Sequence, residues 1–168
     1  SSFKPTSEVL AIPVNILPKN WQLDAYTNLL NYSEYDFSRY FLNSLIVTFF
    51  AVLLAVVLCT TAGYGFAKYK FKYNNLYFII VLSTIMIPFQ AIVVPLFILM
   101  KNLGLQNSYL GLIIPESLTA FGVFLMRQFF YSVPDEIIES ARIDGASEFR
   151  IFWNIAVPMA KTAIFALI

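Results

Sequence analysis

The apolar positions of this chain fall into long unbroken runs rather than into alternating or one-faced patterns. Crossing a bilayer as a helix takes about 20 mostly apolar residues. Three runs meet that length: FLNSLIVTFFAVLLAVVLCTTAGYGFA over 41–67, LYFIIVLSTIMIPFQAIVVPLFILM over 76–100 and YLGLIIPESLTAFGVFLMRQFFY over 109–131. A fourth starts near Trp153 and fills 153–168, too short to cross comfortably. Residues 1–40 hold Pro5, Pro13 and Pro18 among polar neighbours and read as loop. The pattern predicts an all-α integral membrane protein, a bundle of transmembrane helices. The chain opens on Ser1 and stops inside an apolar run, which reads as a piece of a longer protein.

The stretch 132–152 breaks the pattern, because it is charged and lies between two apolar runs. Ser132-Val133-Pro134-Asp135 reads as a helix start, with Ser132 as cap, Pro134 in the first turn and Asp135 in a capping box. Val133, Ile137, Ile138 and Ala141 then share one face, and Asp135, Glu136, Glu139 and Arg142 cover the other. Asp144-Gly145 signals a turn, Gly145 being free to adopt a left-handed conformation. Phe149, Phe152, Trp153 and Ala156 recur at the spacing of a second helix. A short helix–turn–helix of this kind either lies on the membrane surface as an amphipathic connector or docks into a soluble partner.

Composition narrows the function classes. Hydrophobic residues make up 59% and charged residues 12% of the chain, roughly half the usual charged share. The formal net charge of +1 gives no field for nucleic acid. Histidine is absent, which removes the usual general base and the commonest metal ligand, so no catalytic or metal site is expected. Cys59 is the lone cysteine and reads as a small buried hydrophobe.

Charge also sets orientation. Lys68, Lys70 and Lys72 crowd the loop after the first run, whereas the loop after the second carries only Lys101. The positive-inside rule puts the lysine-rich loop in the cytoplasm. The 132–152 stretch is then cytoplasmic too, and 1–40 is extracytoplasmic, with Trp21, Tyr26 and Tyr40 as candidate interface residues.

Polar residues inside the runs are the candidates for a solute path. Pro88 and Pro95 flank the middle of the second run, which is either a kinked packing helix or a broken one lining a cavity. Gln90 lies between them and should face protein or water. Glu116 follows Pro115 and is either an acid in the first turn of a helix or a polar group in a solute path. Arg127 and Lys161 read as snorkelling side chains. One alternative is a secondary transporter or channel subunit whose cytoplasmic connector is merely amphipathic.

The charged stretch resembles the EAA loop of permease subunits of ATP-binding-cassette (ABC) importers. That pattern is EAA, three residues, Gly, nine residues, Ile, one residue, Leu-Pro. Here Glu139-Ser140-Ala141 precedes Gly145 by three residues, and Ile155-Ala156-Val157-Pro158 follows after nine. Ser140 and Val157 depart mildly from it. AGYGFAKYKF, MIPFQAIVVPLF and NLGLQNSYLGLIIP resemble further family segments, so the likeness covers nearly the whole chain. It is similar to the second permease of carbohydrate and glycerol-phosphate importers.

The resemblance implies spans two to four and part of five of a six-span fold, in a bacterial cytoplasmic membrane. It implies that the loop couples to a dimer of ATPase subunits through Glu139, Ser140, Ala141, Asp144, Gly145, Ile155 and Pro158. A second homologous permease and an extracytoplasmic solute-binding protein complete the expected partners, beside the lipid bilayer. No GxxxxGK[ST] phosphate loop occurs here, so ATP is expected on the partner and no cofactor or enzymatic activity on this chain.

Overall fold

The computed structural model describes residues 2–9, 12, 16–31 and 36–168, and every regular element among them is helical. The chain forms two compact units, Ser1–Ile46 and Val47–Ile168. In the first unit, α1 (Thr6–Val9) and α2 (Asp24–Asn31) are two short helices inside the stretch expected to be loop. Phe3 packs on α2 and the residues before it, with its ring centroid 5.6 Å from that of Trp21 and 5.7 Å from that of Tyr26. Pro13 lies outside the described residues.

Helix α3 (Phe37–Lys68) begins four residues before the first apolar run. Asp36 explains the early start, because its Oδ1 accepts from the Arg39 N–H at 3.0 Å and so caps the first turn. At 32 residues α3 rises about 48 Å, ample for a bilayer. It is the one described helix long and apolar enough to cross by itself. The turn after it is closed by Asn74, whose Nδ2 donates to the carbonyls of Phe66 (3.1 Å) and Tyr69 (3.0 Å). Tyr73 sits there at φ 65°, an uncommon conformation for a non-glycine residue.

The second apolar run is not one straight helix. α4 (Asn74–Ser83) runs through a 3-10 turn at Thr84–Met86 and stops at Ile87, and α5 (Phe89–Asn102) leaves at 103° to it. Pro88 is the cause. It has no N–H to continue the ladder, and it holds Ile87 extended at ψ 116°. Pro95 lies inside α5 without ending it. Each limb is too short to span alone, since α5 rises only about 21 Å. The run is thus broken at Pro88 into two limbs.

α5 closes at Gly104 (φ 72°), with Gly104 N–H donating to Lys101 O and Leu105 N–H to Met100 O. Ser108 caps α6 (Tyr109–Glu116) and Thr119 caps α7 (Ala120–Ser132), the two helices meeting at a 44° bend. Glu116 is the last residue of α6, so it does not stand in a first turn. Ser117 ends the helix there by folding its hydroxyl back onto Ile114 O at 2.6 Å, and Thr119 starts the next.

The core lies where α7 crosses α3 and where the charged stretch folds back. Cys59, Met126, Phe130 and Ile151 are its fully buried centre, and Tyr64 stacks edge-on against Phe130 at 5.3 Å. Gly63 allows the crossing, because a Cβ there would lie 2.8 Å from the Arg127 backbone nitrogen. Small residues at such crossings suit membrane helices, where close van der Waals packing replaces the hydrophobic drive. Arg127 does not snorkel. It is 8% exposed, and its guanidinium donates to Asn75 Oδ1 at 3.2 Å and Tyr131 OH at 2.7 Å. The guanidinium also covers the Phe78 ring at 3.7 Å, so α7 is tied to α4 by a buried cation whose contacts are neutral or aromatic.

Candidate functional site: the charged helix–turn–helix

The charged stretch forms α8 (Asp135–Ile143) and α9 (Glu148–Ile151), joined by a four-residue turn. Ser132 does not cap α8. It is the last residue of α7, and its hydroxyl is bound back to Phe129 O at 2.6 Å. Pro134 forces the change. It holds Val133 extended (ψ 123°), ends α7, and puts Asp135 first in α8. Ile138 and Val133 face the core and Ala141 is half-buried against it, whereas Ile137 is exposed.

Gly145 makes the turn possible. It sits at φ +80°, with its N–H donating to Arg142 O and the Ala146 N–H donating to Ala141 O, both at 3.0 Å. That pair of bonds satisfies carbonyls left open at the end of α8. Nothing lies within 4 Å of a Cβ at Gly145, so the demand for glycine is purely one of backbone conformation. Ser147 then caps α9, accepting from Arg150 N–H at 3.3 Å.

A charged clamp braces this turn. Arg142 grips Glu148 with two bonds, Nε–Oε1 at 2.6 Å and Nη2–Oε2 at 3.1 Å. The hydroxyl of Tyr69, just past the end of α3, donates to Glu148 Oε2 at 2.8 Å. A second mooring holds the start of α8. Lys68 Nζ donates to Val133 O and to Asp135 Oδ1, each at 2.6 Å, with a side chain only 4% exposed. Between the moorings lies a groove of about 260 Å³ lined by Lys68, Tyr69, Lys70, Asp135, Ile138, Glu139 and Arg142.

These contacts shift the groups that make them. The bond from Arg142 holds the Glu148 carboxyl below its usual 4.5, and the bond from Lys68 holds Asp135 below its usual 3.8. Burial, followed by the bond to Glu148, pushes the Tyr69 phenol up to about 12, so it stays a donor. A carboxyl with a lowered folded pKa stabilises the fold above its unfolded value and stops doing so as pH falls through the folded one. The loop's attachment should therefore be complete near neutrality and loosen below about pH 4. Hydrogen exchange of the amides over 140–149 between pH 7 and pH 3.5, corrected for intrinsic rates, measures this. Equal protection at both ends of the range would refute it.

The helix does not stay α-helical beyond α9. Phe152–Ala156 forms a π turn, with Val157 N–H reaching back to Phe152 O, before α10 (Val157–Met159) and α11 (Lys161–Leu167). Pro158 accounts for the widening, since in α-helical register its ring would press on the Asn154 carbonyl. Ile151, Phe152, Ala156 and Ala160 point inward, while Phe149, which shares the helical spacing of Phe152 and Ala156, is 74% exposed.

Of the residues singled out in the sequence, Glu139, Ser140, Ala141, Asp144 and Gly145 come together in the hairpin. Glu139 and Asp144 are exposed, and Ser140 is exposed with its hydroxyl bound to Glu136 O at 2.5 Å. Ile155, half-buried, and Pro158, exposed, lie further on, in and just after the π turn. Gln90, the second residue of α5, and Glu116, at the end of α6, are both exposed, and no hydrogen bond joins them among the described residues. Sequence reasoning missed two exposed apolar side chains beside the turn, Ile143 (86% exposed) and Phe149, and the moorings at Lys68 and Tyr69. Only the pairing of a hydrophobic residue with each side of Asp144-Gly145 hinted at the first, and a lysine at a helix end carries no hint of its partner.

The chain as a whole is similar to known proteins. A family described as binding-protein-dependent transport system inner membrane component matches residues 56–168. The chain is 39% identical, over 99% of its length, to the arabinooligosaccharides transport system permease protein AraQ of Bacillus subtilis (strain 168), and spans 60% of that relative. It is 35% identical to the diacetylchitobiose uptake system permease protein NgcG of Streptomyces coelicolor over 99% of the chain, spanning 55% of that protein. Among solved structures, a bacterial ABC transporter involved in the import of the acidic polysaccharide alginate superposes with a TM-score of 0.88 at 27% identity, covering 99% of this chain and 58% of the other. The chain thus spans about three-fifths of the relatives it matches. It belongs to the family of inner membrane components of binding-protein-dependent transport systems.

Proposed function

We propose that this chain is the transmembrane permease part of an ATP-driven, binding-protein-dependent importer, in a bacterial cytoplasmic membrane that it crosses several times. The observation that carries the reading is the exposed, braced hairpin at Glu139–Gly145, held on a bundle with no phosphate-binding loop in its sequence. Glu139, Ser140, Asp144 and Gly145 form the outer face that meets the ATPase subunit. Ala141 backs that face, and Ile155 and Pro158 set how the hairpin feeds the next helix. Ile143 and Phe149 stand out on either side of the turn as apolar anchors, with charges around them, as a docking face requires. ATP is held by a dimer of separate ATPase subunits. A second permease and an extracytoplasmic binding protein complete the transporter.

The solute class follows from the relatives, whose names give arabinooligosaccharides, diacetylchitobiose and sn-glycerol-3-phosphate. A sugar or a related polyol or sugar phosphate is therefore proposed, with Gln90 and Glu116 on its path. Co-purification tests the core of the reading. The full-length permease, expressed with its partner permease and the ATPase, should bring the ATPase down. Glu139→Arg reverses charge on the docking face, and Gly145→Trp strains the turn by about 1–2 kcal/mol while thrusting a large ring outward. Both should lose the ATPase and transport at normal membrane insertion. Equal capture by all three proteins would leave the hairpin a surface connector.

A further inference from the structure

The hairpin is attached not only to the helices that continue it in sequence but also to the end of α3, more than 60 residues earlier. Two side chains make the attachment through three bonds, one side chain at the start of each hairpin helix. Lys68 holds Val133 O and Asp135 at the head of α8, and Tyr69 holds Glu148 at the head of α9. The two differ in character. The Lys68 ammonium is nearly buried and divides itself between a backbone carbonyl and a carboxylate, so it fixes main chain as well as side chain. The Tyr69 hydroxyl completes a three-member network with the Arg142–Glu148 clamp, so it grips the turn itself. The two anchors are adjacent, Lys68 being the last residue of the 32-residue α3 and Tyr69 the residue just after it.

We infer that Lys68 and Tyr69 are positioning residues that deliver a displacement of the hairpin to α3, so that the long helix tilts with the loop instead of lagging behind it. This rests on the hairpin being the ATPase dock. A load applied to the loop has two ways into the bundle. One follows the chain, through the π turn at Phe152–Ala156 and the extended Val133–Pro134 link, both weak points for transmitting force. The other runs through side chains directly into the end of a rigid helix. Charge-assisted bonds are the strong members of their class, and two at separate points resist rotation as well as separation. Glu139 lies between the moorings, lining the same groove, so a pull on the docking face is shared by both.

The test uses the complete transporter in proteoliposomes, with its ATPase, second permease and binding protein, and an arabino-oligosaccharide as the solute probe. Lys68→Met keeps the stem and removes both bonds, Lys68→Arg keeps a cation, and Tyr69→Phe removes one hydroxyl from a partly exposed ring. ATPase co-purification is expected to be unchanged in all three, since none lies on the outer face. Solute moved per ATP hydrolysed should fall about fivefold or more in Lys68→Met and measurably in Tyr69→Phe, and recover in Lys68→Arg. A ratio unchanged in both Lys68→Met and Tyr69→Phe overturns the inference. Loss of ATPase capture in Lys68→Met also overturns it, because the anchor would then serve docking. If wild type itself captures no ATPase, the docking reading falls and this inference with it. Should Lys68→Met fail to insert, Tyr69→Phe decides alone.

Discussion

Replacing Gly63 with alanine is expected to destabilise the bundle more than any other single-methyl change in α3. An ideal Cβ at Gly63 would lie 2.5 Å from Met126 Cβ, 2.8 Å from Arg127 N and 2.9 Å from Met126 C. Two of those three atoms are backbone, and the third is fixed to it, so no rotamer change can make room. α3 and α7 would have to separate at the point where the core is centred. Overpacking of this kind costs about 1–3 kcal/mol, and the rigid neighbours argue for the upper end. Gly65, two residues on, is the control, because nothing lies within 4 Å of its Cβ. Alanine there should be neutral or favourable by up to about 1 kcal/mol, through helix propensity alone. Thermal unfolding of the full-length permease within its complex, followed for the two variants side by side, measures the difference. Equal midpoints for Gly63→Ala and Gly65→Ala would show that the α3–α7 crossing is not closely packed.

Replacing Arg127 with methionine should loosen α4 from α7 by about 2 kcal/mol, since hydrogen bonds to a charged group contribute roughly 1.5–3 kcal/mol and part is returned when a buried charge is removed. The guanidinium bonds Asn75 and Tyr131 and lies over the faces of Phe78 (3.7 Å) and Tyr131 (4.6 Å). Methionine fills much of the volume but replaces none of this. Lysine is the telling variant, because it keeps the charge and loses the planar fork that lies on the Phe78 ring. Arg127→Lys should therefore rescue less than half of the lost stability. The Arg127 Nε is itself buried and without a hydrogen-bond partner among the described residues, so the site already carries some cost and is sensitive to change. Proteolytic susceptibility of the turn at 69–73 in membrane vesicles, compared for Met and Lys, reads the attachment directly. A Lys variant as resistant as wild type would mean that charge alone holds the helices.

Much of the architecture was legible because membranes impose long apolar runs. The first run needed only a four-residue correction, and that came from a side-chain cap at Asp36. The break in the second run was marked by Pro88, but its 103° angle was not, because a proline defines where the ladder fails and not how far the halves swing. At Ser132 a short-range rule misled. Ser-x-Pro-Asp has the composition of a helix start, yet the preceding helix was still being extended and absorbed the serine. The helical spacing of Phe149, Phe152, Trp153 and Ala156 held only for Phe152 and Ala156, which are buried, whereas Phe149 in α9 and Trp153 are exposed.

The sequence by itself determined the class, the hydrophobic runs, the glycine turn at 145 and the spacing of the charged motif. These follow from local chemistry: a residue's transfer free energy, a missing N–H, a φ that only glycine adopts without strain. Only the tertiary structure decided what each charge touches. Lys68 reads as an orientation signal and proves to be a buried anchor of Asp135 and Val133, 65 residues and more away. Arg127 reads as a snorkelling side chain and proves to be a buried tie between two helices. A charge in a chain this apolar has few partners within reach, and which one it finds depends on how the helices cross, a distance that no linear pattern encodes.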